Sequence, residues 1–308
     1  MKLWTEKTHM LLSYTAMEKD RGRTVYSIVR GEMHVSHALA RRMKMSGAIS
    51  VSGAPVYANF TVLPGQTVVA DVGAVETPCD NIPETGPIDI LFENDGLIAV
   101  NKPAGIIVHP SRSRNSGTLS NFVAGHMAAA GCIPSCHAVN RLDRDTTGVV
   151  LFAKNSHMKA RASAALADRN VVKEYAALVY GRMPARGVID LPIRRLVERN
   201  MLRVVSPDGQ RAVTHYETIR VLKAGGSEVS LLRLRLETGR THQIRVHCLH
   251  EGHPILGDTL YNTDLSKSLS QTLGIMTQAL HAWRLGFTEP LGGEFMMLTA
   301  PPPGWFLL

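Results

Sequence analysis

Charged and small polar side chains lead directly into an apolar run in the segment 139–154, VNRLDRDTTGVVLFAK. The apolar, β-branched half of this segment predicts a buried strand, so Asp143 lies in a tight polar loop at the strand's mouth. Arg141 and Arg144 flank this carboxylate, and nearby positive charge favours its ionised form. Another carboxylate, Asp145, follows closely. The pattern indicates either a nucleophilic or basic carboxylate held by an arginine, or a polar surface turn.

A strand-to-helix corner at Arg240 carries the opposite charge. Leucine and arginine alternate over residues 232–236, which predicts a strand with one buried and one charged face. Residues 241–251 predict a helix that ends at Gly252. Arg240 stands between the two elements, where a side chain can project into a cleft, although an ordinary surface arginine is the alternative.

Composition favours a globular protein with a polyanionic partner. The chain has 308 residues, of which 44% are hydrophobic, enough to build one large domain or two. A formal net charge of +8 and an isoelectric point near 9.5 favour RNA or DNA over an acidic small molecule. No lysine or arginine occurs between Lys44 and Lys102, so the basic surface belongs to the flanks of that stretch.

The cysteines and the apolar runs indicate a cellular location. The four cysteines are scattered without a disulfide framework, as expected in a reducing cytoplasm. The segment 1–17 is interrupted by Glu6, Lys7 and His9, so it lacks the apolar core of a secretory signal. Apolar runs fall far short of the roughly 20 residues that a membrane helix needs. We therefore expect a cytoplasmic protein without membrane contacts.

The first quarter of the chain predicts a small α+β unit. Residues 10–29 suggest two short strands around a turn, and 36–45 a basic helix with Ser36 as its N-cap. A strand, a glycine turn and two extended segments follow up to residue 70. This order resembles an S4-type RNA-binding module over residues 1–72. A small appendage without a role in RNA binding is the alternative.

The rest of the chain predicts a separate, strand-rich domain. Prolines among acidic residues mark 73–87 as a linker, and the domain extends over 88–308. Sequential antiparallel strands with interspersed helices indicate an α+β fold, with a mixed, mainly antiparallel sheet and flanking helices, rather than a doubly wound sheet. In the strand predicted over 171–180, the period of two places Lys173 and Tyr175 on the same face.

Turns and helices complete this outline of the second domain. Residues 118–130 and 156–168 predict helices, the latter capped by Ser156. The SPDG sequence at 206–209 predicts a hairpin turn, as do the two glycines at 225 and 226.

Several segments of this second domain carry a family resemblance. Residues 140–148, NRLDRDTTG, resemble the HRLDxxTSG signature of the RluA-type pseudouridine synthases. Segments of the same family also match in order, and together they span about residues 88 to 300; they are NKPAG at 101–105, KEY at 173–175, LETGRTHQIRVH at 236–247, GDTLY at 257–261 and LHA at 280–282. The chain departs from the family pattern at Asn140, Thr147 and Glu289, where His, Ser and His are usual.

The resemblance implies isomerisation of uridine to pseudouridine in RNA, without cofactor or metal. In this family the bond between ribose C1′ and uracil N1 breaks, the base turns, and it rejoins through C5. Asp143 would be the essential carboxylate, as nucleophile at the sugar or base at C2′. Arg240 would pair with it, and Tyr175 would pack against the uracil and remove the C5 proton.

RNA binding would follow from the same resemblance. The target base must flip out of its stack, at a cost of a few kcal/mol that phosphate contacts help to offset. The candidates for those contacts are Arg141, Arg144, Lys173, Arg112, Arg41 and Arg42. The S4-like module favours large-subunit ribosomal RNA as the substrate, with transfer RNA second, and we expect a monomer.

Other interpretations of the same residues exist. His242, His247, His250 and His253 cluster in sequence, but they lack the ligand spacing of zinc motifs. Asp143 and Asp145 could suggest a glycosidase, yet on an extended segment they would point to opposite sides. A catalytically silent RNA-binding protein, such as a ribosome-assembly factor, is the principal rival, and retention of all three catalytic candidates argues against it.

Overall fold

The computed structural model describes residues 10–111, 115–197 and 200–307. These residues form a small N-terminal sheet and a larger sheet that carries the site. Within these ranges no helix has the length and apolarity needed to cross a bilayer.

The N-terminal sheet has four antiparallel strands and two helices. The strands lie in the order β1-β4-β2-β3. The elements are β1 (Leu11–Thr15), α1 (Val25–Gly31), α2 (His37–Ser46), β2 (Ile49–Val51), β3 (Ala54–Pro55) and β4 (Thr67–Asp71). Helix α2 begins as predicted, because the hydroxyl of Ser36 accepts a hydrogen bond from the Leu39 amide at 3.2 Å. It ends at Gly47, whose φ of 72° suits a left-handed C-cap.

The second strand expected within residues 10–29 is wrong, because that sequence forms helix α1. Thr24 caps the helix by accepting from the Ser27 amide at 3.2 Å. Val25, Ile28 and Val29 are fully buried at helical spacing, which explains the preference for helix over strand.

The segment 73–87 packs against the following domain. Glu76 accepts hydrogen bonds from Ser135 at 2.8 Å and from Ser156 at 2.9 Å. The thiol of Cys79 donates to the Pro134 carbonyl at 2.8 Å. The segment between the two sheets is therefore held against the second domain at Glu76 and at Cys79. The domain boundaries 1–72, 73–87 and 88–308 stay a prediction.

The larger sheet has ten strands, mainly antiparallel, as predicted for the α+β fold. Its main path runs β10-β13-β14-β9-β15-β8-β6-β5, with β16 on β15 and β7 on β8. Only β15 and β8 pair in parallel among the described strands. The strands are β5 (Ile90–Glu93), β6 (Leu97–Lys102), β7 (His137–Ala138), β8 (Thr147–Ala153), β9 (Val172–Tyr180), β10 (Arg186–Asp190), β13 (Val213–Ala224), β14 (Ser227–Leu236), β15 (Leu280–Thr288) and β16 (Phe295–Thr299).

Strands β11 (Ile193–Val197) and β12 (Asn200–Val205) form a separate hairpin. The turn at 206–209 exists, since the Gly209 amide donates to the Ser206 carbonyl at 2.9 Å. It does not close the predicted hairpin, however, because β12 pairs with β11 and β13 pairs with β10 and β14. The glycines at 225 and 226 do join a hairpin, β13 to β14.

Four helices accompany the large sheet. They are α3 (Leu119–Ala129), α4 (Ser156–Ala165), α5 (Gln243–His250) and α6 (Asp264–Thr272). Two of them, α3 and α4, bury the two faces of strand β8. Val150 and Phe152 pack in a cluster with α3, whereas Val149 and Leu151 pack in a cluster with α4. Burial on both faces explains the uninterrupted apolar run of β8, and it fixes the loop that precedes the strand. The N-cap of α4 is Asn155, one residue before the predicted Ser156.

Candidate active site

A cleft opens beside the loop between β7 and β8. Its lining comes from that loop, from β9, and from the corner between β14 and α5. The lining residues include Asp143, Tyr175, Leu236, Arg240, His242 and Arg245.

The loop that carries Asp143 is tied down by Lys102, which is completely buried at the end of β6. The ammonium group of Lys102 donates to the carbonyls of Arg144 at 2.6 Å, Ile106 at 2.8 Å and Pro103 at 2.9 Å. Burial lowers the pKa of Lys102 to about 8, although the negative charges of Asp145 and Asp143 oppose this shift. Lys102 therefore fixes the Asp143 loop to the loop that follows β6.

Arg245 is the partner of Asp143. Its NH1 donates to Oδ2 of Asp143 at 3.1 Å, and its Nε and NH2 donate to the two oxygens of Asp258 at 2.6 and 2.8 Å. Asp258 is fully buried, and the side chain of Arg245 is only 6% exposed. The bidentate pair fixes the guanidinium plane and aims its remaining edge at Asp143. Burial alone would lower the pKa of Arg245, but Asp258 and Asp143 hold it above its usual value.

The predicted ion pair between Arg240 and Asp143 is wrong. Arg240 is exposed; its Nε donates to the Arg211 carbonyl at 3.1 Å and its NH1 to Gln210 at 3.0 Å. The reason is the start of the helix: α5 begins at Gln243, so the first inward-facing turn presents Arg245 instead. Arg240 still lines the mouth of the cleft.

His242 lines the cleft next to Asp143, and Tyr261 contacts His242. The Nε2 atom of His242 lies 3.8 Å from Oδ2 of Asp143, and its Nδ1 lies 2.9 Å from the Tyr261 hydroxyl. The Tyr261 ring stacks beneath Arg245, with 4.9 Å between the guanidinium carbon and the ring centroid. His242 has a left-handed backbone, with φ of 58°.

Tyr175, which the family resemblance implies as a site residue, lies on β9 and lines the same cleft as Asp143. Burial, together with the negative charge of Asp143, raises the pKa of its phenol to about 12. The side chain is therefore a neutral phenol at neutral pH. Its ring can pack against a flat base, but it cannot accept a proton until it has released its own.

The predicted RNA contacts lie in different places. Arg141 is exposed at the mouth of the cleft, and Arg144 is exposed and paired with Asp145 at 2.8 Å. Lys173 donates to the Leu166 carbonyl at 3.1 Å and lines a neighbouring cleft. Arg41 and Arg42 are exposed on α2, far along the chain from the others. Arg112 lies outside the described residues.

Sequence reasoning missed Arg245, Asp258, His242, Tyr261 and Lys102. One signal was present: Arg245 interrupts an apolar helical stretch, and a buried arginine requires an acidic partner. On the helix predicted over 241–251, His242 and Arg245 lie three residues apart and would share one face, although in the structure His242 precedes the first turn of α5.

The histidines that cluster in sequence have separate hydrogen-bond partners. His247 contacts Thr214 at 2.9 Å and the Leu191 carbonyl at 3.0 Å, while His253 contacts the Tyr180 carbonyl at 2.9 Å. In the part of the chain that the structure describes, no three His, Cys, Asp or Glu side chains are arranged to hold a metal ion.

This arrangement belongs to a known class of protein. The family model of RNA pseudouridylate synthases matches residues 96–250, which include Asp143, Tyr175 and Arg245. The chain therefore belongs to the RNA pseudouridylate synthase family, and it is an RNA pseudouridine synthase, an isomerase.

Individual relatives extend this assignment over most of the chain. The ribosomal large subunit pseudouridine synthase D of Vibrio parahaemolyticus is 42% identical over 224 residues, covering 70% of this chain and 68% of that protein. An uncharacterized RNA pseudouridine synthase of Bacillus subtilis, YhcT, is 36% identical over 288 residues, covering 93% of this chain and 92% of its own. The solved structure of human RNA pseudouridylate synthase domain containing 1 superimposes with a TM-score of 0.59 at 25% identity, covering 71% and 86% of the two chains.

Proposed function

We propose that this enzyme isomerises specific uridines of large-subunit ribosomal RNA, with Asp143 as the reacting carboxylate. The observation that carries the assignment of Asp143 is its position: Arg245 donates to it at the wall of an open cleft that Tyr175 also lines. The choice of RNA is supported by the relatives named as ribosomal large subunit synthases.

The reaction requires a reactive anion beside the sugar and a surface for the base. Asp143 would either attack ribose C1′, so that the C1′–N1 bond breaks and uracil leaves with the bonding electrons, or remove the C2′ proton, so that the same bond breaks by elimination and leaves a C1′–C2′ double bond. Arg245 donates to Oδ2 of Asp143 at 3.1 Å and orients the carboxylate in both cases. When C5 of the turned base bonds to C1′, the ester bond between Asp143 and C1′ breaks in the first route, and the Asp143 carboxylic acid returns its proton to C2′ in the second. The C5 proton then leaves, the carboxylate is restored in both routes, and no cofactor is consumed.

Tyr175 would pack against the uracil. Because its phenol is neutral, packing is the better supported of its two expected roles, and removal of the C5 proton by Tyr175 would need a prior proton transfer.

Positive side chains around the cleft would hold the RNA backbone. Arg141 and Arg144 are exposed beside Asp143, and Arg41 and Arg42 extend the positive surface to the N-terminal unit. Arg240, at the mouth of the cleft, is a further candidate for a phosphate contact. A ribosomal RNA substrate agrees with the cytoplasmic location expected from the sequence.

The role of Asp143 is tested by Asp143→Asn, which keeps the size of the side chain but removes the reacting anion. We expect isomerisation, followed by tritium release from RNA labelled at uracil C5, to fall below detection while RNA binding persists. Asp145→Asn is the matched control, because this carboxylate lies two residues away and pairs with Arg144 outside the cleft lining. Full activity of Asp143→Asn would refute the assignment.

The RNA target is tested by mapping pseudouridine across total RNA from cells with and without the gene. Loss of sites in large-subunit ribosomal RNA is the expected result. Loss confined to transfer RNA would overturn the choice of substrate while leaving the chemistry of the cleft intact.

A further inference from the structure

The contacts of His242 define which of its two ring nitrogens carries a proton. The backbone amide of Arg203 donates to the Tyr261 hydroxyl oxygen at 2.8 Å. Tyr261 is buried, and among the described residues its hydroxyl hydrogen has one acceptor within reach, Nδ1 of His242 at 2.9 Å. A buried hydroxyl donates its hydrogen when an acceptor is available. His242 is therefore the tautomer with hydrogen on Nε2.

This hydrogen points toward the reacting carboxylate. Nε2 lies 3.8 Å from Oδ2 of Asp143, the same oxygen that accepts from Arg245 at 3.1 Å. The other oxygen, Oδ1, has no hydrogen bond from any described residue. His242 and Arg245 thus both lie against Oδ2, and Oδ1 is the oxygen without a protein donor among the described residues.

The backbone of His242 is held in a sparsely populated conformation to achieve this. The backbone of His242 is left-handed, with φ of 58° and ψ of 18°. This conformation is energetically unfavourable for residues other than glycine and asparagine. The side chain is 9% exposed. Strain of this kind persists where the surrounding structure over-determines a residue, and here the residue faces the reacting group.

We propose that His242 is a positioning residue: its neutral imidazole donates Nε2–H to Oδ2 of Asp143 in the RNA-bound enzyme, and so assigns Oδ1 as the atom that reacts. Tyr261 acts through it by selecting the tautomer. The gap seen without RNA closes by less than an ångström on binding, as hydrogen bonds in catalytic sites commonly tighten with substrate. This inference rests on the proposed role of Asp143.

Protonation of His242 would work against this arrangement. In an imidazolium, Nδ1 also carries a hydrogen, so it can no longer accept the hydrogen bond from the Tyr261 hydroxyl. The positive charge of the ring would also offset the negative charge of the Asp143 carboxylate. Burial lowers the pKa of His242 below its usual value, although Asp143 opposes the shift. The charged and titratable groups that face it are Asp143, Arg245, Arg203, Asp258 and Tyr261.

Two substitutions of His242 separate the donor from the backbone strain. His242→Asn tolerates the left-handed conformation and places its amide near the position of Nδ1, but nothing reaches Asp143. His242→Gln carries an amide N–H near the position of Nε2. We expect the single-turnover rate of His242→Asn to fall roughly 10- to 100-fold with unchanged RNA affinity, and His242→Gln to recover part of that loss.

Tyr261→Phe tests the tautomer, because it keeps the ring beneath Arg245 and removes only the hydroxyl. Losing the donor to Nδ1 destabilises the neutral imidazole and raises its pKa, so the acid limb of the rate against pH should move to higher pH. Nitrogen-15 spectra of labelled histidine should show hydrogen on Nε2 in the wild-type enzyme and a mixture of tautomers in Tyr261→Phe.

These outcomes are distinguishable from failure of the proposed function. An inactive Asp143→Asn combined with a fully active His242→Asn would overturn this inference alone. Hydrogen on Nδ1 in the wild-type spectrum, which needs no variant to fold, would also overturn it. An active Asp143→Asn would instead refute the assignment of Asp143 on which the inference depends.

Discussion

The single guanidinium group of Arg245 binds two carboxylates, and different nitrogens contact each of them. The bidentate pair with Asp258 is buried and orients the arginine, while NH1 alone reaches Asp143, whose side chain is 24% exposed. Removing either partner of the buried Arg245–Asp258 pair would leave an uncompensated charge. The partly exposed Asp143 remains accessible to a substrate. Arg245 is thus both a structural and a positioning group.

The distinction between Arg245 and Arg240 is measurable with two matched substitutions. Lysine keeps the charge but has no planar fork, so Arg245→Lys cannot hold Asp258 and Asp143 together. We expect its single-turnover rate to fall by about 100-fold. Arg240→Lys, at an exposed site, should change the rate by less than about threefold. Equal losses in the two variants would contradict the assignment of Arg245.

At the scale of residues, Asp143 and Tyr175, which the family resemblance implies as site residues, both line the cleft, whereas the expected arginine partner is wrong. The apolar run after Asp143 marks the start of β8 in the sequence. The alternation of residues over 171–180 marks β9. The pair with Arg245, by contrast, joins residues 102 positions apart. Which of two arginines reaches the carboxylate depends on the start and rotation of α5, and boundaries are the least certain part of a sequence prediction.

Among the elements, the junction of β8 with β15 sets the position of the Asp143 loop. These are the two strands that pair in parallel, through Thr147 with His281 and Gly148 with Ala282. Thr147 also contacts Nδ1 of His281 through its hydroxyl at 2.7 Å. Gly148 has φ of 108°, and a Cβ there would lie 2.2 Å from the Ala282 carbonyl oxygen. Close backbone approach requires glycine at this position.

Gly148→Ala should therefore disturb both stability and activity. The strained backbone and the steric overlap should cost about 3 kcal/mol of unfolding free energy, measured by denaturant titration. Displacement of the Asp143 loop should lower the isomerisation rate as well. Gly304→Ala is the control, because its added Cβ meets nothing within 4 Å and its φ is not positive. Wild-type stability in Gly148→Ala would show that the two strands can separate without cost.

Elements with strong local signals were predictable, and those that depend on partners were not. The apolar run of β8 and the caps of α2 lie in the sequence itself. Residues 10–29 were misassigned because burial of Val25, Ile28 and Val29 against the N-terminal sheet decides in favour of a helix. The turn at 206–209 was correct, but the pairing of β12 with β11 depends on a partner strand outside the turn.

Across the whole molecule, the N-terminal unit is tied to the second domain near the start of α4. Arg42 lies 3.5 Å from the Ser156 hydroxyl, and Met10 packs in the cluster around α4. Glu76 binds the same serine, so the segment between the sheets reinforces this attachment. The helix that carries the exposed Arg41 and Arg42 is thus attached to the catalytic domain. If these two arginines contact RNA phosphates, RNA affinity depends on their positive charge.

A double variant, Arg41→Gln with Arg42→Gln, tests whether α2 contacts phosphates. Each lost contact should reduce the slope of log affinity against log salt concentration by about 1, so a change of up to about 2 is expected. The bound-state isomerisation rate should not change, because neither arginine lines the cleft. Arg182→Gln with Arg220→Gln removes the same charge from two other exposed residues, one in the loop after β9 and one in β13, as a control. An unchanged slope in the α2 variant would show that Arg41 and Arg42 bind no phosphate, and would favour the alternative role of the N-terminal unit as an appendage.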